Sequence, residues 1–337
     1  MWNYLFIPIL IYLSKEFSLP KAHSTFLLPS QRSDDSSTDS LTSVPRCPAV
    51  DPNLNYRPVV GILSHPGDGA SGRLNNAATA SFIPASYVKF VESAGARVIP
   101  LIYNEPPETL LEKLQLVNGV LFTGGWVASG LYFETLQRVF KKVLEKNDAG
   151  EHFPLYAICL GFQLVSMIVS KDRNILERFS AADQASTLQF MKNINIEGTV
   201  FERFPPDLLK KLGTDCLVRQ NHVAVTITQA ISFCFFKILT TSADENDKVY
   251  VSTVQAHSYP VTAFQWHPEQ NAFGSGSSVI PHSEDAIQVT QNVANFFISE
   301  ARKSLNRPPT TKVLDNLIYN YSPTHSGKGY AEVYIFT

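Results

Sequence analysis

The chain has 337 residues, a length that suits one large α/β domain or two small ones. Its 44% hydrophobic and 17% charged residues are typical of a soluble globular protein. With 28 Lys and Arg against 30 Asp and Glu, the net charge is −2, which argues against a nucleic-acid groove and against a surface that binds anionic membranes.

The N-terminal residues predict the cellular compartment. Residues 5–13 form an apolar run of signal-peptide length, too short to span a bilayer, and the small residues Ala22 and Ser24 follow it. No Lys or Arg precedes this run, so a buried N-terminal strand or helix is the alternative. We predict a secretory signal over residues 1–23, and a glycosylation sequon at Asn320 is in keeping with a secretory route.

The composition also predicts the domain limits. Residues 24–56 are rich in Ser, Asp, Thr and Pro and cannot bury enough apolar surface to order themselves, so we predict a linker or propeptide there. Residues 57–306 are predicted to form one folded domain, and residues 307–337 a C-terminal tail that packs on it. The four cysteines include no Cys-x-x-Cys pair, which argues against a zinc ribbon and leaves any disulfide pairing open.

Apolar strands alternate with helices in the first half of the domain. Strands are predicted at 58–63, 97–101, 119–122 and 155–158, and helices at 81–94, 107–116, 132–147 and 162–170. This alternation predicts an α/β fold, a doubly wound and mostly parallel sheet with helices on both faces. Later elements are predicted to be an antiparallel strand pair at 249–254 and 261–266 and a last helix at 284–303.

Cys159 lies where a predicted strand ends and a helix begins, which is the edge of the sheet where ligands bind in such folds. A nucleophile at this turn, with Gly161 two residues later, is the arrangement of a nucleophile elbow. The helix N-terminus favours a thiolate there. A buried structural cysteine is the alternative interpretation of so short a pattern.

A thiolate that attacks a carbonyl needs donors for the developing oxyanion. The N–H of Leu160, directly after the cysteine, is the expected first donor. Gly124 and Gly125 directly follow Thr123 at the end of a neighbouring predicted strand, and we expect the second donor from this loop. A Gly-Gly pair is often only a turn, so its position after that strand is what favours this interpretation.

His267 is the best placed of the eight histidines to act as the base, because it ends an apolar predicted strand. Glu269 follows two residues later, and in an extended chain both side chains would lie on one face. A carboxylate there would fix the imidazole tautomer and stabilise its charged form. His222, which follows a second strand-like stretch, is either a pocket residue or a surface-loop histidine.

These motifs resemble a known family. The segments AICLGFQ, FTGG and FQWHPE resemble class I glutamine amidotransferases. From about Arg57 to Thr337, longer segments such as RPVVGILSHPGDGASGR and ASYVKFVESAGARVIPLIYNEP resemble the γ-glutamyl hydrolases of the plant type. The resemblance implies an amidotransferase-like fold with a flavodoxin-like core, and cleavage of folate and antifolate poly-γ-glutamates without a cofactor or metal. It also implies a vacuolar or secreted homodimer.

The resemblance also implies roles for individual residues. Cys159 would be the nucleophile that forms a thioester, His267 would carry the proton, and Glu269 would orient the imidazole. The loop with Gly124 and Gly125 matches the oxyanion loop. The substrate-binding residues that follow from the resemblance are Tyr87, His222 and Gln163.

The chain departs from the family pattern near the predicted pocket. Gln163 stands where plant members usually have Glu, and Gly274 and Ser275 replace an acidic residue and a tryptophan. The segment after His222 is shorter than its counterparts. Two alternatives therefore stand beside the γ-glutamyl hydrolase: a glutaminase that releases ammonia, against which the predicted signal speaks, and a weakly active homologue with an altered pocket.

Overall fold

The computed structural model describes residue 47 and residues 49–70, 79–226, 235–326 and 330–337, with the side chains of residues 224–226 left out. The predicted signal peptide and most of the predicted linker lie outside the described residues. Residues 51–337 form one unit by themselves.

Fourteen strands and eight α-helices make up the described part of this unit. The strands are β1 Val59–Leu63, β2 His65–Pro66, β3 Ser81–Pro84, β4 Arg97–Leu101, β5 Gly119–Phe122, β6 Leu155–Ile158, β7 Leu176–Ser186, β8 Gln189–Phe190, β9 Val218–Thr226, β10 Phe236–Ala243, β11 Val249–Ala256, β12 Val261–Phe264, β13 Thr324–His325 and β14 Glu332–Phe336. The helices are α1 Ala85–Ser93, α2 Pro107–Leu114, α3 Gly130–Asp148, α4 Leu160–Ser170, α5 Pro206–Thr214, α6 Gln270–Phe273, α7 Glu284–Arg302 and α8 Thr310–Asn316, followed by a 3-10 turn at Ile318–Asn320.

The central sheet has eight strands in the order β4-β1-β5-β6-β12-β11-β10-β8. The pairs from β4 to β12 are parallel, and the pairs from β12 to β8 are antiparallel. The predicted α/β fold with a mostly parallel sheet is therefore confirmed, as is the antiparallel pairing of β11 with β12. A second sheet, β13-β14-β3-β2, and a two-stranded sheet of β7 and β9 flank the first.

The parallel strands are apolar throughout because helices cover both faces of the sheet. In β5, Val120 and Phe122 pack in the same cluster as Leu136 of α3. Leu121 points to the other face and packs in a cluster with Val88 of α1 and with residues of α7. The alternation of strand side chains thus divides the core into two layers, one on each side of the sheet.

Two predicted elements differ from the structure. The helix predicted over 81–94 begins only at Ala85, because Ser81–Pro84 form β3, which pairs with β14 near the C-terminus. The helix predicted to be the last one is Glu284–Arg302, and α8 follows it. The domain limits at residues 57 and 306 stay predictions, although β14 shows that residues after 307 contact the earlier chain.

Candidate active site

Cys159 lies at the junction of β6 and α4 in a strained conformation. Its φ of 52° and ψ of −107° fall in a region that non-glycine residues rarely adopt. The N–H of Cys159 donates to the carbonyl oxygen of Phe264 at 2.7 Å, and its own carbonyl accepts from the N–H of Gln163 at 3.1 Å. A Cβ at Gly161 would lie 2.8 Å from the carbonyl oxygen of Phe122. These contacts hold the tight turn that a nucleophile elbow requires.

The parallel pairing of β6 with β12 brings His267 to Cys159. Ile158 lies opposite Phe264, so the residues that follow both strands leave the sheet at the same edge. A Cβ at Gly124 would lie 3.0 Å from Cε1 of His267 and 3.3 Å from Cβ of Cys159. Cys159 and His267 also border one cavity of about 320 Å³. The thiol and the imidazole therefore meet in a single cleft.

Glu269 contacts His267 from the side away from this cavity. Its Oε1 is 2.9 Å from Nδ1 of His267, and its side chain is completely buried. The contact arises from a turn, since Glu269 has φ −76° and ψ −20° and precedes α6. The expected contact between the two side chains is present, but the prediction that an extended backbone produces it is wrong. With Nδ1 engaged, Nε2 is the ring nitrogen without a hydrogen-bond partner among the described residues.

The charge on His267 is set by its neighbours. Burial disfavours the imidazolium, but the Glu269 carboxylate and the Cys159 sulfur outweigh it and raise the pKa of His267 to about 10. The imidazole therefore carries a proton at neutral pH. A cation beside a thiol stabilises the thiolate that a nucleophilic cysteine needs.

The two expected oxyanion donors differ in availability. The N–H of Leu160 belongs to the first turn of α4, where a helix has no acceptor of its own to offer. The N–H of Gly124 instead donates to the hydroxyl of Tyr87 at 2.9 Å. Because the N–H of Gly124 is engaged by Tyr87, its donation to an oxyanion stays a prediction. Gly125, which borders the cavity, stays the predicted second donor.

Tyr87 connects the glycine loop to the imidazole. Its ring is completely buried in α1, and its hydroxyl lies 3.5 Å from Nδ1 of His267. Burial and the nearby Glu269 carboxylate raise the pKa of Tyr87 well above its usual range, so its hydroxyl stays protonated. Tyr87 is not among the residues that border the cavity in the described structure. We infer that it positions Gly124 and His267.

His65 is a residue that the sequence did not single out, and it holds the same loop from the other side. Its Nδ1 lies 2.9 Å from the carbonyl oxygen of Pro66, and its Nε2 accepts the N–H groups of Trp126 at 3.0 Å and Val127 at 3.1 Å. These contacts require the neutral tautomer with hydrogen on Nδ1. Burial lowers the pKa of His65 to about 4, which keeps that form. A side chain at Gly125 would overlap the His65 ring.

His222 lies inside β9 and is 5% exposed, so the surface-loop alternative is wrong. Its Nε2 is 3.0 Å from Oε1 of Gln220, and its ring packs edge-on against Tyr250. Burial and the nearby His267 charge lower the pKa of His222 to about 3. His222 does not border the cavity, whereas its neighbour Asn221 does.

Gln163 also lies behind the cavity. Its Nε2 donates to Oε1 of Gln265 at 3.4 Å, and Nε2 of Gln265 lies 3.8 Å from Sγ of Cys159. The described structure thus connects Gln163 to the thiol through one amide. This position suits a residue that orients the nucleophile better than one that contacts substrate.

Several residues border the cavity that the sequence analysis did not identify. They are Gly69, Ala70, Trp126, Asn221, Gln270 and Tyr330. Tyr330 comes from the C-terminal tail, and no local pattern could have indicated its position. Within the described residues there is no cluster of His, Cys, Asp and Glu that could hold a metal ion.

Comparisons with known proteins identify the family of this chain. The sequence model of the family Peptidase C26 matches residues 58–269. Gamma-glutamyl hydrolase 2 of Arabidopsis thaliana is 62% identical over 346 residues, covering 100% of this chain and 98% of that protein. Gamma-glutamyl hydrolase of Mus musculus is 32% identical over 292 residues, covering 83% and 90%. A solved glutamine amidotransferase of Thermotoga maritima has a TM-score of 0.43 at 13% identity, covering 74% of this chain and 100% of that one.

Proposed function

Because the chain belongs to the Peptidase C26 family and to the γ-glutamyl hydrolases within it, we propose that it hydrolyses folate and antifolate poly-γ-glutamates through a thioester at Cys159. The observation that carries this proposal is the strained Cys159, which borders the same cavity as His267, with Glu269 behind the imidazole. Nucleophile, base and orienting carboxylate are the three parts that acyl transfer by a thiol requires.

In the first half of the reaction, the thiolate of Cys159 attacks the carbonyl carbon of the γ-glutamyl amide. The electron pair of the C=O bond moves to oxygen, and the N–H groups of Leu160 and Gly125 stabilise the resulting negative charge. His267 then gives its proton to the amide nitrogen. The C–N bond breaks, the amine product leaves, and a thioester remains on Cys159.

In the second half, water replaces the amine product. His267, now neutral, takes a proton from the water as its oxygen attacks the thioester carbon. The C–S bond breaks, a γ-carboxyl product leaves, and the thiolate is restored. Glu269 keeps Nδ1 of the imidazole hydrogen-bonded in both halves, so that Nε2 carries the proton each time.

The test is product analysis on pteroyl-pentaglutamate with the full chain. We expect Cys159→Ala to lower turnover by about 10⁴-fold or more, since no other group can form the thioester. Cys216→Ala removes an exposed free thiol and serves as the matched control, with turnover expected to be unchanged. Equal rates for Cys159→Ala and the unmodified protein would refute the proposal.

The same experiment separates the two alternatives. A glutaminase would release ammonia from free glutamine faster than glutamate from γ-linked diglutamate. A weakly active homologue would bind pteroyl-pentaglutamate but hydrolyse it barely faster than its Cys159→Ala variant does. We consider this alternative because Gly274 and Ser275, which depart from the family pattern, border a cavity next to the catalytic one.

We also propose a location in the secretory pathway, with the vacuole as the destination, and a homodimer. The apolar run at residues 5–13 supports the first, and the family resemblance supports both. No described helix is both long and apolar enough to cross a bilayer. Sequencing the N-terminus of the protein from plant cells tests the cleaved signal, and light scattering tests the dimer. Activity found only above pH ~8 would argue against an acidic compartment.

A further inference from the structure

A second cavity, of about 270 Å³, adjoins the catalytic cavity and is here called the outer cavity. Asn221, Gln270 and Tyr330 border both cavities, so the two are parts of one cleft. Arg219 and Asp183 border only the outer cavity. A chain-like substrate with one unit beside Cys159 can therefore continue towards Arg219.

Arg219 is a buried cation whose donors are incompletely used. Only 4% of its side chain is exposed. One terminal nitrogen pairs with Asp183, the other donates to the carbonyl oxygen of Gln220 at 2.8 Å, and Nε is buried without a partner among the described residues. A buried guanidinium is stable only beside an anion that also satisfies its N–H groups.

Asp183 is a partner that can be displaced. Its side chain is 54% exposed, so water solvates the carboxylate when it leaves the guanidinium. Asp183 has a φ of 56° and lies where the register of β7 against β9 shifts, between the pairs Ala181 with His222 and Gln184 with Gln220. The irregularity carries its carboxylate to Arg219, and this contact pairs the buried charge while the cleft is empty.

The other charges of the outer cavity neutralise each other. Lys89 pairs with Glu332 at 2.5 Å, and about half of each side chain is exposed to water. Such an exposed pair contributes little to binding, because water screens both partners. Arg219 is the cation of this cavity that gains most from an incoming carboxylate.

The distance between Arg219 and Asn221 along the cleft wall is close to the length of one γ-glutamyl unit of the substrate. Arg219 and Asn221 lie two residues apart on one face of β9, a distance of roughly 6.6 Å along a strand. One γ-glutamyl repeat contains five backbone bonds and spans roughly 6 Å when extended. Neighbouring α-carboxylates of a poly-γ-glutamate therefore recur at about the interval between these two side chains.

We propose that Arg219 binds the α-carboxylate of the γ-glutamyl unit adjacent to the one whose bond is cleaved, and that Asp183 occupies this subsite in the free enzyme. The inference rests on the proposed function, since it takes the substrate to be a poly-γ-glutamate chain. The subsite makes a chain of at least two γ-linked units a better substrate than a single unit.

The probes for the test are γ-linked glutamate chains in which one α-carboxylate at a time is converted to a primary amide. With the unmodified enzyme, we expect one position of the amide to lower kcat/KM roughly tenfold or more, because a charge-assisted hydrogen bond is lost. Arg219→Met should lose a similar factor on the unmodified chain and show no further loss with that amide. Arg138→Met, on the exposed face of α3, is the matched control and should keep the amide penalty.

Asp183→Asn keeps Arg219 and removes its competitor, which makes the test independent of whether Arg219→Met folds. We expect it to lower KM severalfold for the unmodified chain and to leave KM unchanged for the sensitive amide. Equal amide penalties in the unmodified enzyme and both variants would overturn the subsite while leaving hydrolysis intact. If the unmodified enzyme cleaves no better than Cys159→Ala, the proposed function fails instead. In that case, calorimetric titration of the same γ-linked chains into Cys159→Ala measures their binding affinities and tests the subsite independently of hydrolysis.

Discussion

The two halves of the central sheet use their buried side chains differently. The parallel half, from β4 to β6, is filled with apolar residues and ends in the nucleophile Cys159. The antiparallel half, from β12 to β8, together with β9, buries hydroxyl and amide side chains that bond to one another. These residues are Gln220, Thr240, Ser242, Ser252 and Thr253.

The two halves accordingly contribute different parts of the active site. An apolar interior fixes the backbone turn at Cys159 through packing, whereas buried polar groups fix side-chain orientation because each of them must find a partner. His267, Glu269 and the wall with Arg219 all belong to the polar half. The β6–β12 pairing is the seam at which the two halves meet, and the proposed reaction takes place at its end.

Glu269→Gln tests whether the polar half orients the base His267, and it should have a larger effect than the changes that follow. We expect kcat/KM to fall about 10²–10⁴-fold, because an amide does not hold the imidazolium as a carboxylate does. The pKa of His267 should fall at the same time, which would move the alkaline limit of the pH–rate profile to lower pH.

Glu300→Gln is the matched control for this change. Glu300 pairs with His152 at 2.9 Å, the same distance that separates the active-site pair, but it lies on α7 outside the cleft. It should leave kcat/KM within about twofold of the unmodified enzyme. A Glu269→Gln enzyme with full activity and an unchanged pH profile would remove the carboxylate from the mechanism.

His65→Leu tests whether β2, an edge strand of the second sheet, positions the oxyanion loop. The change removes the acceptor of the Trp126 and Val127 N–H groups, and we expect kcat to fall about 10–100-fold with KM nearly unchanged, as for a misplaced oxyanion donor. His65→Gln, which offers an acceptor at the same reach, should restore most of the loss. Equal losses in both variants, or a loss of the same size in His152→Leu, would mean that only packing was disturbed.

Two buried neutral histidines, His65 in β2 and His222 in β9, predict a common pH dependence of stability. The pKa values of His65 and His222 are lowered from 6.5 to about 4 and about 3, so the folded protein binds fewer protons than the unfolded chain. Their contribution is present above pH 6.5 and is lost as pH falls towards 4 for His65 and towards 3 for His222. His267, with its raised pKa, contributes fully below pH 6.5 and loses this only as pH rises towards 10.

We therefore expect urea unfolding to give a free energy roughly 1–3 kcal/mol lower at pH 5 than at pH 7 for each neutral histidine. His65→Gln and His222→Gln should each flatten this dependence. A free energy of unfolding that is level between these pH values would contradict the buried neutral state of both residues.

The sequence predicted the parallel half better than the antiparallel half because burial on both faces gives a continuous apolar run, as in β1 and β6. It did not predict β3, since Ser81–Pro84 are extended by pairing with β14, about 250 residues later in the chain. The propensity of a four-residue segment cannot reveal a partner so distant in sequence.

The same reason limits what could be predicted of the site. Cys159, His267 and Glu269 stand out because they follow apolar strands at the edge of the sheet where ligands bind, and because together they supply a nucleophile, a base and a carboxylate. Tyr330 reaches the cavity only through the fold of the tail, so nothing local could have indicated it. The Tyr87 hydroxyl, which takes the N–H of Gly124, likewise depends on how α1 packs.

The smallest expected effect concerns the wall of the outer cavity, where the sequence predicts a departure from the family pattern. By the resemblance, Ser275 replaces a tryptophan of the plant family pattern, and Ser275→Trp would fill part of the space next to Arg219. We expect kcat/KM to change less than about twofold for a diglutamate and to fall roughly three- to fivefold for a pentaglutamate, since only the longer chain must pass the indole. Ser258→Trp, at an exposed position outside the cleft, is the control. If both chain lengths lose equally, Ser275 does not shape a subsite, and chain-length preference must come from the residues that border the catalytic cavity.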